Sequence, residues 1–391
     1  MSKRGYLSII RITSFLHHFL IAYFIKMVVV YLLANDVTPW VAVSIPVVLE
    51  FSRMIARGFK WTIKLALKVD YKKMHIFHFV AFTILAIIIS QCSSVWSIYL
   101  FTIIAGIITG IKGSSATKFS TSNKEYESYC LIEDERFGII GLTLGYIISQ
   151  FVYDISMDLY IVCYFAIGVL GIIISLFVKE APVYDSMISF EECAELSSED
   201  KKNSIVVSLL FGFIAGLWCM ALSALDELGP LISDKVGYLT SIYTIVEFIC
   251  LFIISGSILA KIKKKKKLLL VETVIACVDC LCLLISSLFM SWVGLLIAFV
   301  LSGVFSTLGD PIWASIISSY STDNRKKYAL INRVYFITRS IATIVSWGVC
   351  RWCVINGLEY FRYLAVILLI LIIVLYFIAN KINKKVFNTT I

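Results

Sequence analysis

Charge and proline are scarce in this chain of 391 residues: Asp, Glu, Lys and Arg make up 16% of it and only 5 residues are proline, while 60% are hydrophobic. A water-soluble globule needs far more polar surface to clothe its core, so that class is excluded. Nothing resembles a glycine-rich ATP-binding loop, so the sequence offers no nucleotide-driven energy source. Histidine is down to 4 residues, namely His17, His18, His75 and His78. The 11 cysteines are scattered through apolar segments. Even Cys277-Val-Asp-Cys280-Leu-Cys282 lies inside one, without the polar shell a metal or disulfide site needs, and the cysteines read as small buried hydrophobes. No metal and no cofactor is expected.

What the chain does have is a succession of apolar runs of about 20 residues, each long enough to cross a hydrocarbon core roughly 30 Å thick. Twelve can be laid along it, over about 9–34, 39–62, 75–91, 94–113, 136–154, 159–178, 205–227, 238–260, 268–289, 292–315, 328–350 and 361–380. Turn formers such as Asn35-Asp36-Val37-Thr38-Pro39 separate them. The first run is too long and too polar for a cleavable leader, with Arg11, His17, His18 and Lys26 inside it, and is read as the first span. The expected fold class is an all-α polytopic membrane protein of twelve transmembrane helices in two six-helix, pseudo-symmetric halves. The domains are 1–180, a cytoplasmic central loop over 181–204, and 205–391. The acids of that loop, Glu191 to Asp200, read as a solvated linker.

The net charge of +9 does not indicate nucleic acid, because the basic residues recur at the ends of apolar runs rather than on one soluble module. Cytoplasmic loops retain Lys and Arg, and their distribution sets orientation. With the amino terminus inside, inner segments receive Lys3, Arg4 and Arg11, then Lys60 to Lys73, then Lys112, Lys118, Lys124 and Arg136, and so on to Lys381, Lys384 and Lys385. Outer segments receive only Lys235, Arg351 and Arg362. Both termini are therefore expected in the cytoplasm, with the protein in the cell membrane. The run Lys263 to Lys267 doubles as an attraction to anionic lipid.

Six plus six helices with a charged central loop resemble the major facilitator superfamily, and the resemblance covers essentially the whole chain. In that family the loop after the second helix of each half has a glycine, an acid four residues on, and basic residues. The second half here reads Gly256-Ser-Ile-Leu-Ala260-Lys261-Ile-Lys263-Lys264-Lys265, with Ala260 where the acid belongs. The first half reads Ala66-Leu-Lys-Val-Asp70-Tyr-Lys72-Lys73, which keeps the acid and loses the glycine. The fifth span opens Arg136-Phe-Gly138-Ile-Ile-Gly141-Leu-Thr-Leu-Gly145, similar to the entry of that helix in many family members. Gly138, Gly141, Gly145 and Ser149 share one helical face, as do Gly106, Gly110 and Gly113 in the fourth span and Gly212 and Gly216 in the seventh. Small faces let membrane helices approach closely, either to pack or to rock.

Ionisable groups inside spans cost roughly 2.5–3.5 kcal/mol each and are the best functional clues. Glu50, Arg53 and Arg57 share one face of the second span, where they form either an internal ion pair or a substrate site. Glu247 in the eighth span follows Thr240, Tyr243 and Thr244, and Arg339 in the eleventh follows Tyr335. The resemblance implies that the second, eighth and eleventh helices line a central cavity, and that the third, sixth and twelfth are peripheral. Glu50, Arg53, Glu247, Arg339, Lys26 and Tyr243 are thus the substrate- or proton-binding candidates, with Lys26 equally able to snorkel outward. Arg57, Asp70, Asp279, Asp310 and Arg333 are read as structural or gate charges, Asp279 as partner to a neighbouring helix and Asp310 with Arg333 as a pair near the inner gate. His17 and His18 titrate near neutrality, yet so near a helix start they read as polar packing residues.

These features imply a secondary active transporter of a small molecule, working by alternating access and coupled to an ion, in particular the proton through Glu50 and Glu247; export is one possible direction. The partners are a small substrate, an ion and the bilayer. The cationic surplus in the spans favours substrates with an anionic group. Two other classes are weighed: a non-transporting receptor or accessory protein on the same scaffold, which the degenerate loop motifs allow, and an intramembrane hydrolase, for which no histidine stands beside a glycine-flanked serine. The chain is expected not to be an enzyme. A reporter fused after Lys265 should be cytoplasmic and one inserted near Asp234 external; protease protection or cysteine labelling in intact cells reads both, and a cytoplasmic Asp234 would remove the alternation.

Overall fold

The computed structural model describes residues 3–34, 37, 39–92, 94–121, 126–177, 195–232, 236–253, 256–264, 268–309, 311–312, 315 and 325–387. The described residues are helical almost throughout and divide into two compact units, Met1–Ile188 and Ser189–Ile391. Unit 1 holds α1 (Lys3–Ala34), α2 (Pro39–Gly58), α3 (Lys60–Lys68), α4 (Tyr71–Ser90), α5 (Val95–Thr121), α6 (Glu127–Ile155) and α7 (Met157–Phe177). Unit 2 holds α8 (Ser198–Ile232), α9 (Val236–Ile253), α10 (Gly256–Lys264), α11 (Leu268–Phe289), α12 (Trp292–Ser306), α13 (Arg325–Asn356) and α14 (Glu359–Phe387).

Apolar side chains point outward all along these helices. Phe151, Phe177, Ile253, Phe289, Ile355 and Phe377 each expose more than 60% of their surface, an arrangement that only a lipid solvent tolerates. This is a multi-pass membrane protein. Among the described residues seven helices, α1, α4, α5, α7, α8, α11 and α14, contain segments long and apolar enough to cross a membrane by themselves. Charges interrupt such a segment in α2 (Glu50, Arg53, Arg57) and in α13 (Arg333, Arg339, Arg351). The apolar windows of α7 and α14 are only 28% buried against 72% for that of α1, which makes them the most outward-facing of the seven.

The structure splits the expected second span into a long helix and a short one. Gly58 ends α2, Phe59 is extended, and the Thr62 hydroxyl donates to the carbonyls of Ala56 and Phe59, closing the break. The residues beyond it make α3, in which Lys64 and Lys68 lie one turn apart on the same side. Thr62 and Ala66 are buried while Trp61 and Leu65 are exposed, the partition of a helix lying at a membrane surface. In unit 2 the short α10 follows α9 in the sequence, with Leu259 buried and Lys261 exposed. Two other boundaries depend on backbone in the left-handed region: Met290, with φ 42°, between α11 and α12, and Gly357, with φ 131°, between α13 and α14. Ser291 then caps α12 by accepting from the Gly294 N–H at 3.1 Å.

Helix pairing follows one scheme in both units. The first long helix packs most extensively on the fifth (α1 on α6, α8 on α13), the second on the fourth (α2 on α5, α9 on α12), and the third on the sixth (α4 on α7, α11 on α14). Glycine sets the closest approaches. A Cβ on Gly141 would collide with the backbone of Phe15, and one on Gly106 would stand 2.6 Å from the Leu49 carbonyl and the Ser52 Cβ. In unit 2 the neighbour of Gly216 is the Ala342 Cβ and that of Gly212 is Thr338. Phe15 and Gly216 are 201 residues apart, and so are Gly141 and Ala342, so the same crossing recurs with the glycine moved to the partner helix.

The small-residue faces read from the sequence are therefore contact faces within each unit. Gly141→Leu should cost at least about 1–3 kcal/mol through overpacking, seen as lost monodisperse protein after heating in detergent. Gly348→Leu, where nothing lies within 4 Å of the added Cβ, should cost little; equal tolerance of the two would show that the close crossing does not determine stability.

A buried basic and imidazole cluster in unit 1

The α2–α5 crossing fixes the backbone of α2 at the residues that carry charge, since a Cβ on Gly106 or Gly110 would meet the Arg53 main chain. On that helix Arg53 Nη2 donates to Glu50 Oε1 at 2.6 Å, with both side chains a little over one-quarter exposed. One turn on, half-buried Arg57 lies over Gly113 of α5, its Nε 3.4 Å from where a Cβ would be. Next to Gly113 is Lys112, only 2% exposed. The sequence reading put Lys112 at the inner end of a span; the structure corrects this, because α5 continues to Thr121 and carries the lysine into the bundle. Arg53, Arg57 and Asp134 of α6 are within its electrostatic reach.

All four histidines gather around the same lysine, although the sequence reading treated His17 and His18 as packing residues and gave His75 and His78 no part. His17 Nδ1 of α1 and His78 Nε2 of α4 are hydrogen-bonded at 2.9 Å. His18 stands edge-on to His17, with ring centroids 5.0 Å apart, and its Nδ1 is 2.9 Å from the Ser14 carbonyl. His75 stacks on Tyr71, whose hydroxyl donates to Thr13 at 2.8 Å. Lys112 is within electrostatic reach of all four rings. The spacing of His75 and His78 on one helix and of His17 on another was visible in the sequence; that α1 and α4 face each other was not.

Asp134 is held in place from α1, because the Ser14 hydroxyl donates to its carbonyl at 2.6 Å and Gly138 abuts Ser14 and His18. One residue earlier, Glu133 bridges two arginines, Arg11 Nε at 2.6 Å and Arg136 Nη1 at 2.8 Å, and Arg11 also lies over the Phe137 ring. The Arg136 of the family-like motif is thus an internal tie in this chain.

Unit 2 has a buried polar bridge of its own. Asp279 of α11 is fully buried; its Oδ2 accepts from the Trp218 indole N–H of α8 and from Ser306 of α12, while Oδ1 has no hydrogen-bond partner among the described residues. Trp218 and Asp279 are 61 residues apart, as are His17 and His78, and each pair bridges the first and third long helices of its unit. Arg339 Nη1 donates to the Tyr335 hydroxyl at 3.2 Å on its own helix. Tyr243 meets Phe299 edge-on, and Glu247 is half-buried one turn further along α9; α9 and α13, which carry Glu247 and Arg339, are not among the closely packed pairs. Of the remaining candidates, Lys26 is half-buried, Asp70 pairs with Lys73 at 2.8 Å at the start of α4, Arg333 is exposed, and Asp310 lies outside the described residues.

By sequence the chain matches no family model and no curated protein. By structure it is similar to transporters over nearly its whole length. The human organic anion transporter MFSD10 (TETRAN) superposes with a TM-score of 0.70 at 10% identity, over 96% of this chain and 100% of that one. A bacterial homologue of the iron transporter ferroportin, in an outward-facing state, gives 0.68 at 11% identity over 97% and 99%. A POT family transporter in complex with a thioalcohol-conjugated peptide gives 0.71 at 14% identity over 97% and 96%. The fold is that of the major facilitator transporters.

If the Glu50–Arg53 pair is energetically real, Arg53→Ala alone should be worse for folded yield than Arg53→Ala with Glu50→Ala. Breaking a buried pair costs roughly 3–5 kcal/mol, and this pair's partial exposure should reduce that to about 1–2 kcal/mol. A double-mutant cycle on thermal stability in detergent measures it, and strictly additive losses would show that the two side chains do not interact.

Proposed function

We propose that this chain is a secondary active transporter that moves a small anionic molecule across the cell membrane by alternating access, coupled to a proton. Its twelve long helices would be the spans, six in each unit, with both termini cytoplasmic. The observation that carries the substrate class is the gathering of cations around Lys112. Among the described residues Arg53, Arg57 and Lys112 are brought within reach of one another inside the spans, with Asp134 near Lys112 and Glu50 engaged by Arg53. Arginine stays charged at any working pH, so basic groups gathered in an apolar bundle suit the binding of a mobile anion.

The structural relatives support a transporter but not one cargo, since they are described as carriers of organic anions, iron and, for the POT member, a complex with a peptide conjugate. The charge of the cargo is therefore argued from this chain's residues. Glu247, Tyr243 and Arg339 of unit 2 and Lys26 of unit 1 are proposed as further lining groups, with Glu247 as a second proton acceptor.

Untargeted metabolite profiles of cells with and without the protein should differ chiefly in small anions, and Arg57→Ala should abolish the difference while the protein remains folded in the membrane. Profiles that do not differ would overturn the transporter reading; differences confined to neutral or cationic compounds would overturn the substrate class.

A further inference from the structure

The unit 1 cluster contains a group that anion recognition leaves without a task, the buried histidine pair. We propose that His17 and His78 together form the binding site for the coupling proton, and that the proton and an anion at Arg53, Arg57 and Lys112 bind cooperatively. The cooperativity rests on the transport reading; the proton site itself does not.

The hydrogen bond between the rings defines the chemistry. Two neutral imidazoles hold two N–H groups and two lone pairs. The 2.9 Å contact uses one of each, whichever tautomer is present, and leaves one N–H and one lone pair pointing away from the bond. An incoming proton forms its N–H bond at that outer lone pair. The ring that receives it is the one already donating to its neighbour, so the existing bond is kept and becomes charge-assisted, which strengthens it roughly twofold. A lone buried histidine has no such compensation.

The surroundings leave ring nitrogens available. His75 and His78 are fully buried, and His78 Nδ1 and both nitrogens of His75 have no hydrogen-bond partner among the described residues. A buried polar atom without a partner costs roughly 1–3 kcal/mol, a cost that a purely structural polar contact would avoid and a site that must accept a proton has to bear.

Every element packed around the pair contributes to the balance. His18 lies beside it on α1, and His75 and Tyr71 on α4; α5 brings Lys112, α6 brings Asp134, and α2 brings Arg53 and Arg57 next to Lys112 and His18. Helix α7 carries the phenols Tyr160 and Tyr164, which donate to the carbonyls of Tyr23 and Phe82, together with the half-buried Cys163 and the exposed Asp158. Of these, Lys112 bears directly on the pair and opposes a proton there, while Asp134, Arg53 and Arg57 bear on Lys112 and His18. An anion arriving at those cations removes the opposition. By linkage, a proton on the pair must favour the anion by the same factor.

The test needs no substrate. Because the chain holds only 4 histidines, protein labelled with ¹⁵N-histidine in lipid nanodiscs gives a ring-nitrogen spectrum that can be assigned with His17→Asn and His78→Asn. We expect His17 and His78 to respond to pH together, taking up one proton between them. In Lys112→Met the uptake should occur at least about one pH unit higher, a tenfold gain in proton affinity. Both rings remaining neutral down to about pH 4.5 in wild type and Lys112→Met alike, or each ring titrating independently of the other, would overturn the proposal, as would uptake that is indifferent to Lys112. A pair that titrates as expected in a protein without effect on metabolite levels would leave the proton site standing and remove the transporter reading.

Discussion

The placing of the polar groups at the heart of unit 1 starts from how closely α1 and α6 approach. Lipid gives no hydrophobic drive to press helices together, so their association rests on van der Waals fit. Gly141 lets the α6 backbone settle against that of Phe15, and Gly145 does the same against Phe19 and Ala22. At that separation Ser14 reaches the Asp134 carbonyl, Glu133 reaches Arg11, and His18 lies against Gly138. A wider gap would undo all three contacts and withdraw Asp134 from Lys112. The steric rule of one backbone thus determines the electrostatics of the cluster.

How far the sequence disclosed this differs by level. Hydropathy and turn residues located the long helices, because a bilayer imposes length and apolarity on each one separately. The break at Phe59 was missed, since a short surface helix such as α3 is nearly as apolar as the end of a span and differs only in the four-residue spacing of its lysines. Within the site, Glu50 and Arg53 could be paired from sequence because three residues along one helix bring side chains together. His17 with His78, and Trp218 with Asp279, could not, because which faces of α1 and α4, or of α8 and α11, meet is decided by tertiary packing. Lys112 was misplaced for a related reason: a basic residue near a hydropathy boundary reads as a loop charge unless the helix is known to continue.

The internal repeat shows why its two copies look so different in sequence. At the crossing of the first and fifth long helices the physical requirement is one small side chain between two backbones, and either helix satisfies it. Unit 1 supplies Gly141 against Phe15, whereas unit 2 supplies Gly216 against Ala342, 201 residues further along for both members. Comparing residue identities would score this position as a mismatch. Comparing what the position must accomplish scores it as the same contact.

The same reasoning applied to the polar bridges separates the roles of the units. Where unit 1 has the His17–His78 bond, unit 2 has Trp218 donating to Asp279, at positions again 201 residues apart. Both bridges satisfy polar atoms between the first and third long helices, so either would serve for packing alone. They differ in what surrounds them. Asp279 sits among Trp218, Ser302 and Ser306, neutral donors that can hold a carboxylate but offer no second charge. His17 and His78 have Lys112 within electrostatic reach, and Lys112 in turn has Asp134, Arg53 and Arg57. A bridge serving only as a fastener would be safest in the neutral setting that unit 2 provides. On the proposed transport reading, the bridge beside the charged cluster is the one whose protonation would alter binding, so the proposed coupling chemistry falls to unit 1 and the mainly structural version of the bridge to unit 2.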